Sequence, residues 1–143
     1  MEMEQIEEYT LPFFDVSVNS IQTFKLPVTG YVTNRFSIIN HHYGIDFSAN
    51  VDAPIFATYD GTIVYSDWTP ETGHTIIIQH SNNFISVYKH NASRLKQSGD
   101  FVKAGSVIAY IGNSGELSTG PHLHFELWHN GIPVDPELYL RFE

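Results

Sequence analysis

The chain has no cysteine, so disulfide scaffolds, thiolate-held zinc, iron–sulfur clusters and a thiol nucleophile are excluded. Cations are scarce: seven Lys and Arg stand against 16 Asp and Glu, a formal charge of −9. That balance repels a phosphate backbone and leaves little for counterion release, so nucleic acid is not an expected partner. Long apolar runs are missing too. The longest, residues 107–111, falls far short of the ~20 needed to cross a bilayer, so no transmembrane segment is expected in this chain. The first residues, Met-Glu-Met-Glu-Gln-Ile-Glu-Glu, lack the cationic and apolar regions of a signal peptide, which places the targeting segment of an exported protein outside this chain. Strong helical patterning is also wanting; only 92–96 and 136–140 have the makings of a turn or two.

What remains is 143 residues, 42% of them hydrophobic, the size and composition of one compact domain. A chain of this length buries roughly 68–70% of its unfolded surface, enough for a core that needs no metal to fold. Residues 1–22 carry Glu2, Glu4, Glu7, Glu8 and Asp15 and no Lys or Arg. Their apolar residues, Leu11, Phe13, Phe14, Val16 and Val18, cluster without a clean period, as in an arm or an added strand; an acidic arm laid over a groove is the competing reading. From Phe24 onward, short β-rich segments at 30–35, 55–59, 61–68, 74–80, 84–90, 106–111 and 123–128 alternate with turn chemistry such as Asp60-Gly61 and Asn130-Gly131. That spacing predicts an all-β sandwich or barrel. Residues 99–109 echo the turn-and-strand pattern of lipoyl carrier domains, but no candidate hairpin tip bears the lysine a carrier modifies.

Eight histidines are present, and four fall in patterns that chemistry can use. In Pro121-His122-Leu123-His124-Phe125-Glu126-Leu127-Trp128, strand alternation sends Leu123, Phe125 and Leu127 into the core and His122, His124 and Glu126 to the other face. Two imidazoles on one face are close enough to serve one site; taken alone, the pattern equally fits a solvated, His-rich face. In His42-Tyr43-Gly44-Ile45-Asp46-Phe47, a straight strand would hold His42 and Asp46 ~13 Å apart. Two ligands of one zinc must each approach it to ~2.0–2.2 Å, so sharing an ion requires a turn or bulge near Gly44. The third pattern is Tyr88-Lys89-His90, read as a strand end with Phe84, Ser86, Tyr88 and His90 on one face. His41 has no acid four residues on, and His74, His80 and His129 fall at strand ends or turns, where surface or structural roles are the default.

Taken in order, His42-x-x-x-Asp46, Tyr88-x-His90 and Gly120-Pro121-His122-Leu123-His124-Phe125-Glu126 resemble the signature of the lysostaphin/LytM-type zinc metallopeptidases. The likeness runs from about Pro27 to Asp135 and takes in Gly61-Thr62-Ile63-Val64, Gly99-Asp100-Phe101-Val102 and Ile111-Gly112-Asn113-Ser114-Gly115. It implies residues 23–143 as the peptidase domain: a small two-layer antiparallel β fold with an open groove that holds zinc and very little helix. Carried over residue by residue, it implies His42, Asp46 and His124 as ligands of one zinc ion and His90 and His122 as the catalytic pair, with neither yet assigned as the base. Three protein ligands leave a fourth position for a zinc-activated water. No HExxH motif supplies a glutamate base, so a histidine outside the ligand set must move the proton or steady the oxyanion. Glu126 is placed to accept an imidazole N–H rather than to bind metal directly.

The resemblance further implies an endopeptidase of peptidoglycan stem-peptide cross-links, working in the periplasm or cell envelope. The short segment between Phe36 and His42 favours the D-Ala to meso-diaminopimelate bond over a glycine bridge. The alternative is a non-catalytic LytM-like regulator of cell-wall amidases, and an envelope regulatory protein is the second partner the resemblance allows.

Overall fold

The structure, a computed structural model, describes residues 22–112 and 120–142. The expected arm, but for Gln22, lies outside the described residues, as do residues 113–119 of the Gly-rich segment before His122. Among the described residues, ten antiparallel strands follow one another: β1 Tyr31–Asn34, β2 Ile45–Ser48, β3 Pro54–Phe56, β4 Gly61–Thr69, β5 Gly73–Gln79, β6 Phe84–Arg94, β7 Phe101–Val102, β8 Val107–Ile111, β9 His122–His129 and β10 Ile132–Val134. The expected all-β architecture holds. Helix among the described residues is confined to 3-10 turns at Ser81–Asn83 and Pro136–Leu138. The second starts on a proline, and the Asp135 carboxylate accepts the Glu137 N–H at 3.0 Å, an N-cap arrangement. The other expected helical turn, 92–96, is corrected: residues 92–94 continue β6, because Asn91, Ser93 and Arg94 pair with β8. Local composition there yields to a sheet partner far along the chain.

The main sheet runs β1-β2-β9-β6-β5-β4-β7, with β10 beside β9 and a limb, β8 then β3, attached to the second half of β6. The Asn130-Gly131 pair, both at positive φ, closes the two-residue hairpin between β9 and β10. Along β9 the alternation is clean: Leu123, Phe125 and Leu127 are fully buried. They join Ile45 and Phe47 of β2, Tyr88 of β6, Ile76 and Ile78 of β5, and Ile55, Ile108 and Ile111 of the limb in one core. The limb therefore folds over one face of the main sheet. Its opposite face, bearing the even-numbered residues of β9, stays open.

A polar chain crosses this core. The Asp60 carbonyl requires a proton on His80 Nδ1 (2.7 Å), leaving Nε2 to accept from Ser86 Oγ at 2.7 Å. The Tyr88 hydroxyl donates to Ser86 at 2.8 Å and accepts from Thr58 N and Oγ1, each at 3.1 Å. Burial holds the His80 pKa below the ordinary histidine value, the Asp60 carbonyl only partly opposing it. The unfolded chain takes up a proton there near pH ~6.5 that the folded chain resists, so this contribution to stability is complete above that pH and lost as pH falls. His74 and His90, also held low, act in the same sense, and His124, held high, acts against them. In thermal denaturation followed from pH 7 to 5, the wild type is therefore expected to lose more melting temperature than His80→Gln. An equally steep decline in the variant would exclude His80 as a source.

Candidate metal centre and histidine cluster

The open face of β9 carries His122, His124 and Glu126. β2 lies beside it in a register that sets Asp46 opposite His124 and Ser48 opposite His122. Directly paired residues of antiparallel strands project to the same face, so Asp46 arrives next to His124 by register alone. His42 reaches the same place through a reversal of the chain. At Gly44 the backbone presses so close to β9 that a Cβ would sit 2.5 Å from the Phe125 carbonyl oxygen and 3.0 Å from His124 Cε1, so no larger residue fits. Ahead of it, Ser37 and His42 pair in an isolated bridge around a tight turn at residues 38–41. Between His42 and Asp46 the chain bends at Gly44, where sharing one metal ion demanded it.

His42, Asp46 and His124 each offer a ligand atom, and these atoms lie within 4.8 Å of one another. The Asp46 carboxylate sits between the rings, Oδ2 3.3 Å from His42 Nε2 and Oδ1 2.8 Å from His124 Nδ1. A tetrahedron with bonds of ~2.0 Å has edges of about 3.3 Å, so the spacing suits a small four-coordinate cation. Outer hydrogen bonds aim both rings. His42 Nδ1 donates to the Arg35 carbonyl at 2.8 Å, leaving Nε2 inward, and His124 Nε2 donates to Glu126 Oε2 at 2.9 Å, leaving Nδ1 inward. Two imidazoles and one carboxylate with such orienting partners are a donor set that fits zinc with an open fourth position.

Glu126 also accepts from Trp128 Nε1 at 2.9 Å and Lys89 Nζ at 3.1 Å. Burial opposes its ionisation, but the His124 and Trp128 hydrogen bonds and the Lys89 charge bring its pKa down to about 2. Burial likewise works against a charged His124, and the carboxylates of Asp46 and Glu126 outweigh it, raising the pKa above the ordinary value. For Asp46, burial is overcome by the His124 hydrogen bond and the neighbouring imidazoles, which lower it. Asn34, paired with Asp46 across β1 and β2, donates to Asp46 Oδ2 at 3.2 Å. Neither Asn34 nor Lys89 stood out in the sequence; both are recognisable only through strand register.

His90 requires a correction. Simple alternation sends it into the core behind Phe84, Ser86 and Tyr88, and the sequence reading ends the strand there. Instead β6 continues, and Ile76↔Tyr88 and His74↔Asn91 are successive pairs with β5, so Thr75 faces two residues, Lys89 and His90. This is a β-bulge, and its extra residue adopts φ +69°. The bulge breaks the alternation and turns the His90 ring to the open face, 5.4 Å from the ring of His122 and 6.3 Å from that of His124. Burial, then the adjacent His122 and His124, depress its pKa. All five residues expected at the site are thus brought together. The remaining histidines lie elsewhere: His41 beside Tyr43, His74 under Arg94, His80 in the core and His129 stacked on Phe84 at 3.9 Å.

Comparison with known proteins agrees with this arrangement. Residues 40–136 match peptidase family M23. The peptidoglycan DD-endopeptidase ShyC of Vibrio cholerae is 39% identical over 126 residues, covering 88% of this chain and 27% of its own. The DD-carboxypeptidase/endopeptidase Mpg of Neisseria meningitidis is 39% identical over 95 residues, 66% of this chain and 22% of its own. The chain thus spans about a quarter of the length of these curated relatives. Among solved structures, a zinc-containing peptidase from Vibrio cholerae superposes with a TM-score of 0.72 at 32% identity, covering 80% of this chain and 39% of that one. The lysostaphin catalytic domain from Staphylococcus simulans does so with a TM-score of 0.64 at 31% identity, covering 77% and 89%. On the breadth of this match, the chain belongs to peptidase family M23.

Proposed function

We propose that this chain is a zinc-dependent endopeptidase hydrolysing peptide cross-links of bacterial peptidoglycan in the periplasm or cell envelope. The observation that carries the reading is a convergent His/Asp/His donor set with two further imidazoles beside it. His42, Asp46 and His124 hold one zinc ion. When bound, zinc supplies a Lewis acid that polarises the scissile carbonyl and acidifies water to a pKa of about 7. His90 and His122 divide the remaining work: one imidazole accepts the proton of the attacking water and the other donates a hydrogen bond to the oxygen that gains charge. Glu126 keeps His124 in the tautomer that presents Nδ1.

The bond cleaved is D-Ala to meso-diaminopimelate. The names of the relatives as DD-endopeptidases support this, as does the shortness of the segment beside the centre, a tight turn closed by the Ser37–His42 bridge. A regulator without activity gives no reason to keep all five residues. Zinc-loaded protein incubated with cross-linked muropeptides is expected to yield monomers split at that bond, identified by mass spectrometry. Zinc-loaded protein that leaves every cross-link intact would overturn the peptidase reading, and cleavage of glycine bridges alone would overturn the bond assignment.

A further inference from the structure

The catalytic reading rests on a histidine that strand geometry by itself would misplace, which raises the question of what holds the bulge. A non-glycine residue at φ +69° is strained relative to the extended conformation, so His90 keeps this conformation only if its surroundings over-determine it. Three contacts do so. The His90 N–H donates to the Thr72 carbonyl at 2.8 Å, in the turn between β4 and β5. Gly112, bridged to His122, lies so close that a Cβ there would meet the His90 carbonyl oxygen at 2.5 Å and the Ala92 nitrogen at 2.8 Å. The third is the side chain of Asn91.

Asn91 is 1% exposed, at the point where β6 exchanges β9 for β8 as its neighbour. Its Nδ2 donates to the carbonyl of Tyr88, just before the bulge, at 3.1 Å, and to that of His74 on β5 at 3.0 Å. Its Oδ1 is buried with no hydrogen-bond partner. The opposite flip would set Oδ1 against two carbonyl oxygens, so the two donations fix the amide's orientation. A buried amide with one end unsatisfied is unfavourable in itself. It persists here with both protons spent on backbone carbonyls that flank the bulge.

We propose that Asn91 is a positioning residue for His90: its amide clamps the strands on either side of the bulge and thereby holds the imidazole on the open face beside His122 and His124. The metal ligands stand on other segments, His42 and Asp46 around Gly44 and His124 on β9. Release of the clamp therefore displaces His90 and leaves the donor set in place. The turnover arm of the test depends on the peptidase reading; the spectroscopic arm does not.

Asn91→Leu keeps the heavy-atom branching in a somewhat bulkier group and removes the donor; Asn91→Ser is the smaller replacement, read in the same assays if the leucine variant does not fold. Each is compared with the wild-type chain loaded with cobalt(II) in place of zinc, whose paramagnetic shifts of the His90 ring protons report their distance from the metal. Expected are unchanged metal stoichiometry, unchanged shifts for His42 and His124, and displaced shifts for His90. On cross-linked muropeptides the zinc-loaded variants lose on the order of 10- to 100-fold in kcat, the scale of a ring misplaced by about 1 Å, with KM nearly constant. His90 shifts that stay put overturn the proposal, as does loss of metal in step with loss of turnover. A wild-type chain that cleaves no muropeptide would overturn the peptidase reading while the cobalt comparison still decides the role of Asn91.

Discussion

Replacing His124 with alanine is expected to abolish zinc binding and, with it, all turnover, while the fold survives. His124 is the centre of the site: Nδ1 lies against Asp46 and Nε2 against Glu126. Its removal leaves one imidazole and one carboxylate, too few to hold zinc against competing water. Asp46→Ala and His42→Ala should act the same way, each exceeding the ~10–100-fold loss of affinity that follows removal of an outer partner. Glu126→Leu, which removes such a partner, should fall within that range. The fold should survive His124→Ala, because the strand is anchored by its buried neighbours Leu123 and Phe125, although the apo melting temperature should fall as Asp46 and Glu126 lose their shared imidazole. Titration against a chromophoric chelator measures all four variants. Retention of wild-type affinity by His124→Ala would remove the metal centre from this position.

His90→Ala and His122→Ala are expected to behave in the opposite sense, keeping zinc and losing turnover on the order of 10²–10⁴-fold, as for a positioned acid–base group. Their rings are 5.4 Å apart and neither belongs to the donor set. If they serve one transition state together, the double variant should lose far less than the product of the two single losses. Metal content must be measured for His122→Ala in particular, because it sits two residues from His124 on β9. Near-normal cleavage by either variant at full zinc occupancy would take that histidine out of the mechanism.

Most of this site is legible in the chain because strand periodicity is simple. Leu123, Phe125 and Leu127 announce which face of β9 is buried, and from that His122, His124 and Glu126 follow together. Gly44 could be given a task before any coordinates, since His42 and Asp46 cannot meet across a straight strand. What escaped is what depends on partners distant in sequence. The short strands β2, β7 and β10 have too few residues to show a period. Residues 92–94 look neutral until β8 lies alongside them. Lys89 and Asn34 acquire meaning only from register, opposite His124 and Asp46. The face that His90 presents escaped for a different reason: the extra residue of a bulge leaves no mark in a hydrophobic pattern, and it reverses the face of everything after it.

That left-handed histidine also sets stability against activity. Glycine at position 90 would relieve a strained backbone by about 1 kcal/mol relative to alanine, and a population of variants selected for heat resistance alone would be drawn toward His90→Gly. Screens that reward folding therefore have an incentive to dismantle the proposed catalytic pair, and thermostable descendants of this chain need to be sorted by turnover before their melting temperatures are compared.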